Sequence, residues 1–491
     1  MAGVERSTYW LGGASTVPFV TRRKVMVVTV LGVGAFTALW FVVRAQSIPA
    51  TVVAFVLGGA AVAVWLRRDA DGGRWIVSGL DRVRGWLSLR ARWDEFDPEV
   101  EVRPFWLERV EVASVATGDG HDLGLLDDAT HLVAVLEVDG GGHAIQTAAA
   151  HARRERAFRA VLRACSRPRV AVSQLDVMTS SFPTREGDLP AVSLAQWVTP
   201  AVAQSMADVR SQALLGTQQY RSWVVVRMPV DQLAAVIRED GLAVTPDRLN
   251  QAALETVGQV TRLFMDNGIG VHRGLSSRRW AAVIRGLLLC DRSVDDTAGI
   301  RDFWHAWPAF EVDRREGAVT VFDPATGEAS WHHATASIPR SGWPTAAVHG
   351  RWLAPLVLSH EVSHRVVVNS FELLSPMEAS GFARDQLTTA ASLRVRQRSQ
   401  GKVGTGEVEV AESSAALVAK DVAVHHAAGL RVLTRVMVSG RSASELRRAQ
   451  EEIETITSNE MGVTRINWDT TRPTLGVLSV LPLGRELPRD Y

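Results

Sequence analysis

One segment carries the residue types and spacing of a zinc site, because His360-Glu361-Val362-Ser363-His364 matches the H-E-x-x-H pattern. In zinc proteases with this pattern the two histidines lie on one helix face and bind one ion, while the glutamate activates a water molecule. The flanking residues favour a non-helical backbone here, since Pro355 lies upstream and the β-branched run Arg365-Val366-Val367-Val368 follows directly. The sequence also lacks a third ligand at the usual distance. We therefore expect a solvated turn before an apolar strand.

The sequence accordingly predicts no metal, no cofactor and no catalytic residue. The alternative from another functional class is a membrane-bound zinc metalloprotease that uses His360, Glu361 and His364. A metal assay on the purified soluble domain distinguishes this enzyme from a scaffold.

No nucleotide site is predicted, because the phosphate-binding sequence G-x-x-x-x-G-K-[ST] is absent from the chain. Residues 401–406 have the composition of such a loop but not its order, and residues 287–291 resemble the strand that normally accompanies it. The adjacent pairs His332-His333 and His425-His426 do not share a helix face, so neither pair is predicted to bind a ligand.

Two apolar runs, Val25 to Val43 and Ile48 to Leu66, are separated only by Arg44-Ala45-Gln46-Ser47. Each run lacks charged residues and is about 19 residues long, which at about 1.5 Å per residue just spans the ~30 Å hydrocarbon layer of a bilayer. The loop is too short to hold a domain. Residues 25–66 are therefore predicted to form a tight antiparallel transmembrane hairpin.

Basic residues on the two flanks set the predicted direction of this hairpin. Residues 22–24 are Arg-Arg-Lys and residues 67–68 are Arg-Arg, whereas the loop holds only Arg44. The bias predicts a multi-pass protein of the cell (plasma) membrane, in contact with the lipid bilayer and with both termini in the cytoplasm.

The amino-acid composition argues against disulfide-linked, cysteine-bound metal and nucleic-acid-binding classes of protein. Cys165 and Cys290 are the only cysteines, so there is neither a disulfide framework nor a metal-ligand spacing. The formal net charge is +1, which gives no global signal for nucleic acid, and no direct binding to nucleic acid is expected.

Downstream of the hairpin, residues 75–93 form an amphipathic pattern with interleaved tryptophans and arginines, which favours either a helix at the headgroup level or a helix docked on the soluble region. Strand and helix patterns then alternate. Helix starts are indicated at Thr245, Ser375 and Ser442 by a capping residue followed by proline or by glutamate three positions on. Apolar strands are predicted at residues 131–138, 169–177, 222–228, 430–438, 463–469 and 475–481.

Strand–helix–strand units of this size, placed side by side, favour an α+β region with ferredoxin-like βαβ units. The predicted fold class is therefore a membrane protein, with a two-helix transmembrane hairpin followed by that cytosolic region. The predicted parts are a cytoplasmic lead-in (1–24), the transmembrane hairpin (25–66), an amphipathic membrane-proximal connector (67–128), a first α+β domain (129–300) and a second α+β domain (301–491).

The order of these parts resembles a family of actinobacterial membrane proteins encoded in conjugation and type IV secretion loci. The resemblance rests on Tyr9-Trp10-Leu11-Gly12-Gly13, on the hairpin, on α+β units without a Walker motif, and on Leu481-Pro482-Leu483-Gly484-Arg485. The hairpin is similar to the PrgI-type small membrane component. The soluble part is similar to the N-terminal, non-motor domain of the type IV secretion ATPase.

This resemblance implies a non-catalytic inner-membrane scaffold component of a type IV (conjugation-like) secretion apparatus, which anchors a separate ATPase at the membrane. The implied partners are that ATPase and other membrane components, in an oligomeric assembly. The alternative within the same class is a type VII secretion membrane component, which also joins two spans to a cytosolic domain.

Overall fold

The computed structural model forms two compact units, Met1–Ser15 with Asp94–Tyr491, and Thr16–Trp93. All of its described elements belong to the first unit. The described residues are 8–9, 96, 107, 110–117, 120–139, 148–167, 169–184, 199–214, 218–313, 316–339, 342–344, 348–349, 352–359, 362, 364–399, 413, 416, 420 and 429–485.

Most of the strands belong to one twelve-stranded antiparallel sheet. Its strands are β2 (Glu111–Ala116), β3 (Asp122–Asp127), β4 (His131–Val138), β5 (Gln174–Pro183), β6 (Gln218–Pro229), β7 (Val271–Gly274), β8 (Phe310–Asp313), β9 (Ala318–Phe322), β10 (Ala329–Ile338), β12 (Arg365–Leu374), β13 (Gly429–Gly440) and β14 (Asn467–Trp468). The remaining strands, β1 (Thr8–Tyr9) and β11 (Val348–His349), pair with each other in a separate small sheet.

Helices connect these strands and lie on both sides of the sheet. They are α1 (Ala148–Cys165), α2 (Pro200–Leu214), α3 (Val230–Glu239), α4 (Pro246–Asp266), α5 (Ser277–Leu288), α6 (Ala354–Leu358), α7 (Pro376–Ser399), α8 (Ala443–Asn459) and α9 (Pro473–Val480). A short 3₁₀ turn spans Trp304–Ala306.

The sheet consists of two halves with the same internal strand order. In the first half the order is β7-β4-β6-β5, and in the second it is β14-β10-β13-β12. The halves meet where β5 and β12 pair antiparallel over most of their length, with Asp176 opposite Ser370. Because the equivalent strands run in opposite directions, a pseudo-twofold axis passes between β5 and β12.

Both faces of the sheet are buried, so the strands are apolar on both sides. On β4, Val133 and Val135 face one core, which α5 and α9 cover. The alternate residues Leu132 and Ala134 face the opposite side, which α1 and α4 cover in the first half. In the second half, α6 and α8 cover that same side. Because side chains alternate between the two faces of a strand, each strand contributes residues to two separate core layers.

The predicted fold class is wrong. Separate ferredoxin-like units after a membrane hairpin were expected, whereas strands from both sides of residue 300 form one large antiparallel sheet. Apolar and polar residues would alternate along β5 and β12 in the same way whether each strand lay at the edge of a sheet or inside it. For that reason the sequence gives no sign that these two strands pair. The residue boundaries of the predicted domains stay predictions.

The structure also contradicts the predicted membrane class. Within the described ranges, no helix combines the length and the apolar composition that a bilayer crossing requires. The long helices α1, α4 and α7 each carry several charged residues, which accounts for this result. The multi-pass, plasma-membrane assignment with both termini in the cytoplasm is corrected accordingly. The predicted hairpin itself, residues 25–66, lies outside the described residues.

Candidate functional site

The H-E-x-x-H segment lies between a short helix and a strand. Helix α6 ends at Leu358 and is followed by Ser359 in an extended conformation, and β12 begins at Arg365. His364 occupies the bend directly before β12, and its ring lies 4.8 Å from that of Trp331. His360 and Glu361 lie outside the described residues. His364 therefore does not lie on a helix, which the zinc motif requires. Its ring packs against that of Trp331.

Arg365 anchors the same segment from the strand side. Its guanidinium is buried and donates hydrogen bonds to the carbonyl oxygens of Val362 and Val357 and to the side chain of Gln218. Burial lowers the pKa of Arg365, and contacts with Tyr220 oppose that effect. No group of three or more potential ligands that could hold a metal ion is present in the described part of the chain.

The two adjacent histidines of β10 have different environments. His333 is fully buried, with Nδ1 2.8 Å from Ser439 Oγ and Nε2 2.9 Å from the carbonyl oxygen of Leu288. Burial lowers the pKa of His333 to about 4, so the ring is neutral at physiological pH. In the neutral ring Nε2 carries the proton, because the Leu288 carbonyl can only accept, and Nδ1 then accepts from the Ser439 hydroxyl. His333 therefore joins α5 to the sheet.

Other segments that resembled functional motifs have ordinary structural positions or lie outside the description. Residues 287–291, which resembled a nucleotide-associated strand, form the end of α5 and the turn after it. Residues 401–406 and the pair His425-His426 lie outside the described residues.

Sequence reasoning missed a cluster of buried charged and polar groups at the centre of the sheet. Asp176 on β5 is buried, and its Oδ1 accepts a hydrogen bond of 2.7 Å from Gln174 Nε2. Burial raises the pKa of Asp176, and the nearby Arg435 and Arg227 cations, with hydrogen bonds from Ser370 and Gln174, oppose that rise. The cluster draws on both halves of the sheet, because β5 and β6 carry Asp176 and Arg227 and β13 carries Arg435.

The C-terminal segment Leu481–Arg485 covers this cluster. The carbonyl oxygen of Arg485 accepts a 2.8 Å hydrogen bond from Gln174 Nε2, and Leu481 and Leu483 are buried. Gly484 has φ +60°, and a Cβ there would lie 2.7 Å from Cγ1 of Val133 on β4. The segment thus passes from α9, in the second half, onto strands of the first half.

Arginine side chains hold this cover in place. Arg435 donates a 2.6 Å hydrogen bond to the carbonyl oxygen of Ser479 in α9. Burial lowers the pKa of Arg485 to about 10, with a further contribution from the positive charges of Arg435 and Arg227. The polar groups of the covered cluster interact with one another. We interpret it as an internal joint between the halves.

A second polar cluster lies beside a cavity of about 240 Å³ at the end of β4 and the start of β6, and Glu137 and Arg221 line that cavity. The buried Glu137 carboxylate forms ion pairs with Arg221 (3.4 Å) and Arg279 (3.7 Å), and both arginines also pair with Asp295. Arg273 Nε lies 4.0 Å from the Glu137 carboxylate, so three arginines share the charges of Glu137 and Asp295. Because Arg279 belongs to α5, the network fixes that helix against the first half of the sheet.

The surface shows a different kind of feature, apolar side chains on two helices. Val202, Met206 and Val209 recur along one stripe of α2 and are between 46% and 63% exposed. On α7, Met377 and Val395 are even more exposed. Helices α2 and α7 occupy equivalent positions, since α2 connects β5 to β6 and α7 connects β12 to β13.

Comparison with protein-family models gives no match, and neither does comparison with curated proteins. The resemblance to conjugation-locus proteins therefore stays a prediction from the sequence.

Proposed function

We propose that this protein is a non-catalytic scaffold component of a type IV, conjugation-like secretion apparatus, and that it binds a separate ATPase. The observation that carries the proposal is the apolar stripe of α2 together with the exposed apolar residues of α7. Exposed apolar residues that recur along one helix face, as opposed to single scattered ones, are typical of protein-binding surfaces.

Helix α7 supports the same interpretation. It spans 24 residues, and Ala379 is the single buried side chain among those described in it. Met377 and Val395 on this helix expose apolar surface to water, and contact with a partner would bury that surface.

The buried polar groups favour binding over catalysis. His333 and Glu137 contact partners on α5, and Asp176 interacts with the side chain of Ser370 in the other half of the sheet. A catalytic group must reach a substrate, whereas His333 lies beneath α5 and Asp176 beneath the C-terminal segment. Glu137 lines a cavity, but its carboxylate forms ion pairs with arginines. We accordingly assign the protein neither a catalytic residue nor a cofactor.

The choice of an ATPase as partner rests on the sequence resemblance and on the missing phosphate-binding loop. Phosphoryl transfer needs a backbone cradle, a lysine and a bound metal. The sequence has no G-x-x-x-x-G-K-[ST] segment to supply the first two. A separate motor must then provide the energy, and a scaffold that binds it raises its local concentration at the apparatus.

The test is co-purification of the full chain with the ATPase encoded at the same locus. We expect Val202→Asp with Val209→Asp to abolish retention of the ATPase, because two charges would enter the apolar contact. Leu242→Asp is the matched control, since Leu242 is also an exposed apolar residue, 47% exposed, but lies after α3. Retention of the ATPase by the α2 variant would contradict the proposed surface.

A nucleotide titration of the isolated chain tests the non-catalytic part of the proposal. No saturable binding of ATP is expected, and binding at micromolar concentration would overturn the scaffold assignment. The identity of the retained ATPase separates a type IV apparatus from the alternative, a type VII apparatus.

A further inference from the structure

The two ends of the large sheet differ in how their edge strands are protected. At the β8 end, Phe96 forms an antiparallel bridge with Phe310, with both backbone N–H···O distances at 2.9 Å. The two rings stack with centroids 5.4 Å apart. Strand β8 is also short and carries Glu311 and Asp313. Short length, charges and a covering segment are the usual means of blocking an edge.

At the opposite end, β2 is longer than β8, has one charged residue, and has no covering segment among the described residues. It pairs with β3 along all six of its residues, and no other described strand lies beside it. Its sequence Glu-Val-Ala-Ser-Val-Ala contains a single charge, at Glu111, and neither lysine nor proline. An open, regular strand with this composition is a template for the addition of another strand.

The hydrogen bonds around β2 show which of its backbone groups are available at the edge. Thr117 N–H donates to the carbonyl oxygen of His121 at 2.7 Å, and Gly124 N–H donates to Leu275, away from β2. In an antiparallel pair, backbone groups alternate between the two sides of a strand. Ser114 lies opposite Gly124, so its N–H and C=O point to the open edge. By the same alternation, those of Val112 and Ala116 do so as well.

We propose that β2 pairs antiparallel with β2 of a second copy of this chain, so that two sheets become one across a twofold axis. The outward residues 112, 114 and 116 are symmetric about Ser114. With Ser114 opposite its own equivalent, Val112 faces Ala116 of the other copy. This register forms about six backbone hydrogen bonds, two for each outward-facing pair.

The side chains of β2 favour pairing with β2 of a second copy over pairing with an unrelated strand. In the proposed register the one charged residue, Glu111, faces Thr117 of the other copy, so like charges never meet. Ala113 faces Val115, and Val112 faces Ala116, which pairs each β-branched residue with a small one. Val112 and Val115 already pack partly against the cores on opposite faces of the sheet, and the second copy extends both layers. The pairing repeats the operation that joins β5 to β12 within one chain.

The first experiment measures the mass of the full chain in solution by sedimentation velocity over a concentration series. A dimer is expected for the wild type. Ser114→Pro removes one outward N–H from each copy and is compatible with an edge position, and it should weaken the dimer about 10- to 100-fold. Ser114→Ala is the matched control, because it removes only the side-chain contact with Ser277 Oγ and should leave the dimer intact.

The second experiment tests the register by cross-linking. Ala113 and Val115 face each other as a non-hydrogen-bonded pair, whose Cα separation of about 4.5 Å allows a disulfide. A mixture of Ala113→Cys and Val115→Cys chains should form covalent dimers on mild oxidation, and neither variant alone should do so. Circular dichroism verifies that each variant is folded. A monomeric wild type, a dimer insensitive to Ser114→Pro, or cross-linking of either single variant alone would overturn the pairing.

Discussion

His333 gives the sharpest test of the buried structure, because its neutral ring is tied to both α5 and β13. The relevant perturbation is acidification combined with His333→Gln. An unfolded histidine has a pKa near 6.5, whereas burial lowers the pKa of His333 to about 4. Between these values the unfolded chain binds a proton that the folded chain does not. The free energy of unfolding therefore falls as the pH falls from about 6.5 towards 4, and it is unaffected above that window.

The size of this effect follows from the two pKa values. Linkage gives a loss of about 2 kcal/mol at pH 5 and about 3 kcal/mol at pH 4 relative to neutral pH. Asp469 acts in the opposite direction, because burial raises its pKa to about 6, with Thr335 and Arg435 opposing. The folded state holds this proton more tightly, so acidification through that range stabilises the protein through Asp469. The wild-type curve alone thus contains two partly cancelling contributions.

Comparison with His333→Gln isolates the histidine, since Asp469 is present in both proteins. At pH 7.5 we expect the variant to be less stable by about 1–3 kcal/mol, because it disturbs two buried hydrogen bonds. At pH 5 the stability difference should shift by about 2 kcal/mol in favour of the variant. The cause is that protonation of His333 in the unfolded chain lowers the stability of the wild type, whereas the variant has no histidine at this position. The assay is the urea midpoint followed by tryptophan fluorescence at several pH values. His332→Gln, at the adjacent position of β10, is the matched control and should follow the wild type. If the urea midpoints of His333→Gln and the wild type changed in parallel with pH, the neutral buried ring would be refuted.

Three further predictions concern the C-terminal cover and the H-E-x-x-H segment. Gly484→Ala should destabilise the protein by about 1–3 kcal/mol in urea unfolding, because its Cβ would clash with Val133 and φ is positive; an unchanged midpoint would show that the segment is not packed there. Arg435→Met should cost about 3 kcal/mol by the same assay, since it removes one of the two cations that act on the buried Asp176 and the hydrogen bond to Ser479; a stabilised variant would contradict this role of Arg435. His360→Ala and Glu361→Ala should each change stability by less than about 0.5 kcal/mol and leave ATPase retention intact. Stoichiometric zinc in the wild type that either variant loses would instead support the metalloprotease.

Local structure was predictable wherever a residue type has a specific backbone role. Thr245, Ser375 and Ser442 were expected to begin helices, and each accepts the backbone hydrogen bond of an N-cap. These predictions are confirmed because capping depends on only four neighbouring residues. Strands β4, β6 and β13 were likewise expected near their observed bounds, since their apolar residues leave no helical stripe.

Features that depend on distant parts of the chain were not predictable. Residues 475–481 were expected to form a strand, but they belong mostly to α9, whose residues are buried around much of its circumference. Such a helix has no amphipathic period to distinguish it from a buried strand. The central cluster was missed for a related reason. Asp176, Arg227 and Arg435 lie on separate strands, and only the pairing of β5 with β12 brings them together.

The cover over the central cluster also has a consequence for the order of events during synthesis. Gln174 and Arg485, which share a hydrogen bond, are 311 residues apart in the chain. At about 5–20 residues per second, the ribosome needs roughly 15–60 s to reach Arg485 after it has made Gln174. Throughout that interval the first half of the sheet exposes an edge strand and a polar centre that its own residues cannot cover. The hydrogen bond that closes the cover can therefore form only after synthesis has passed Arg485.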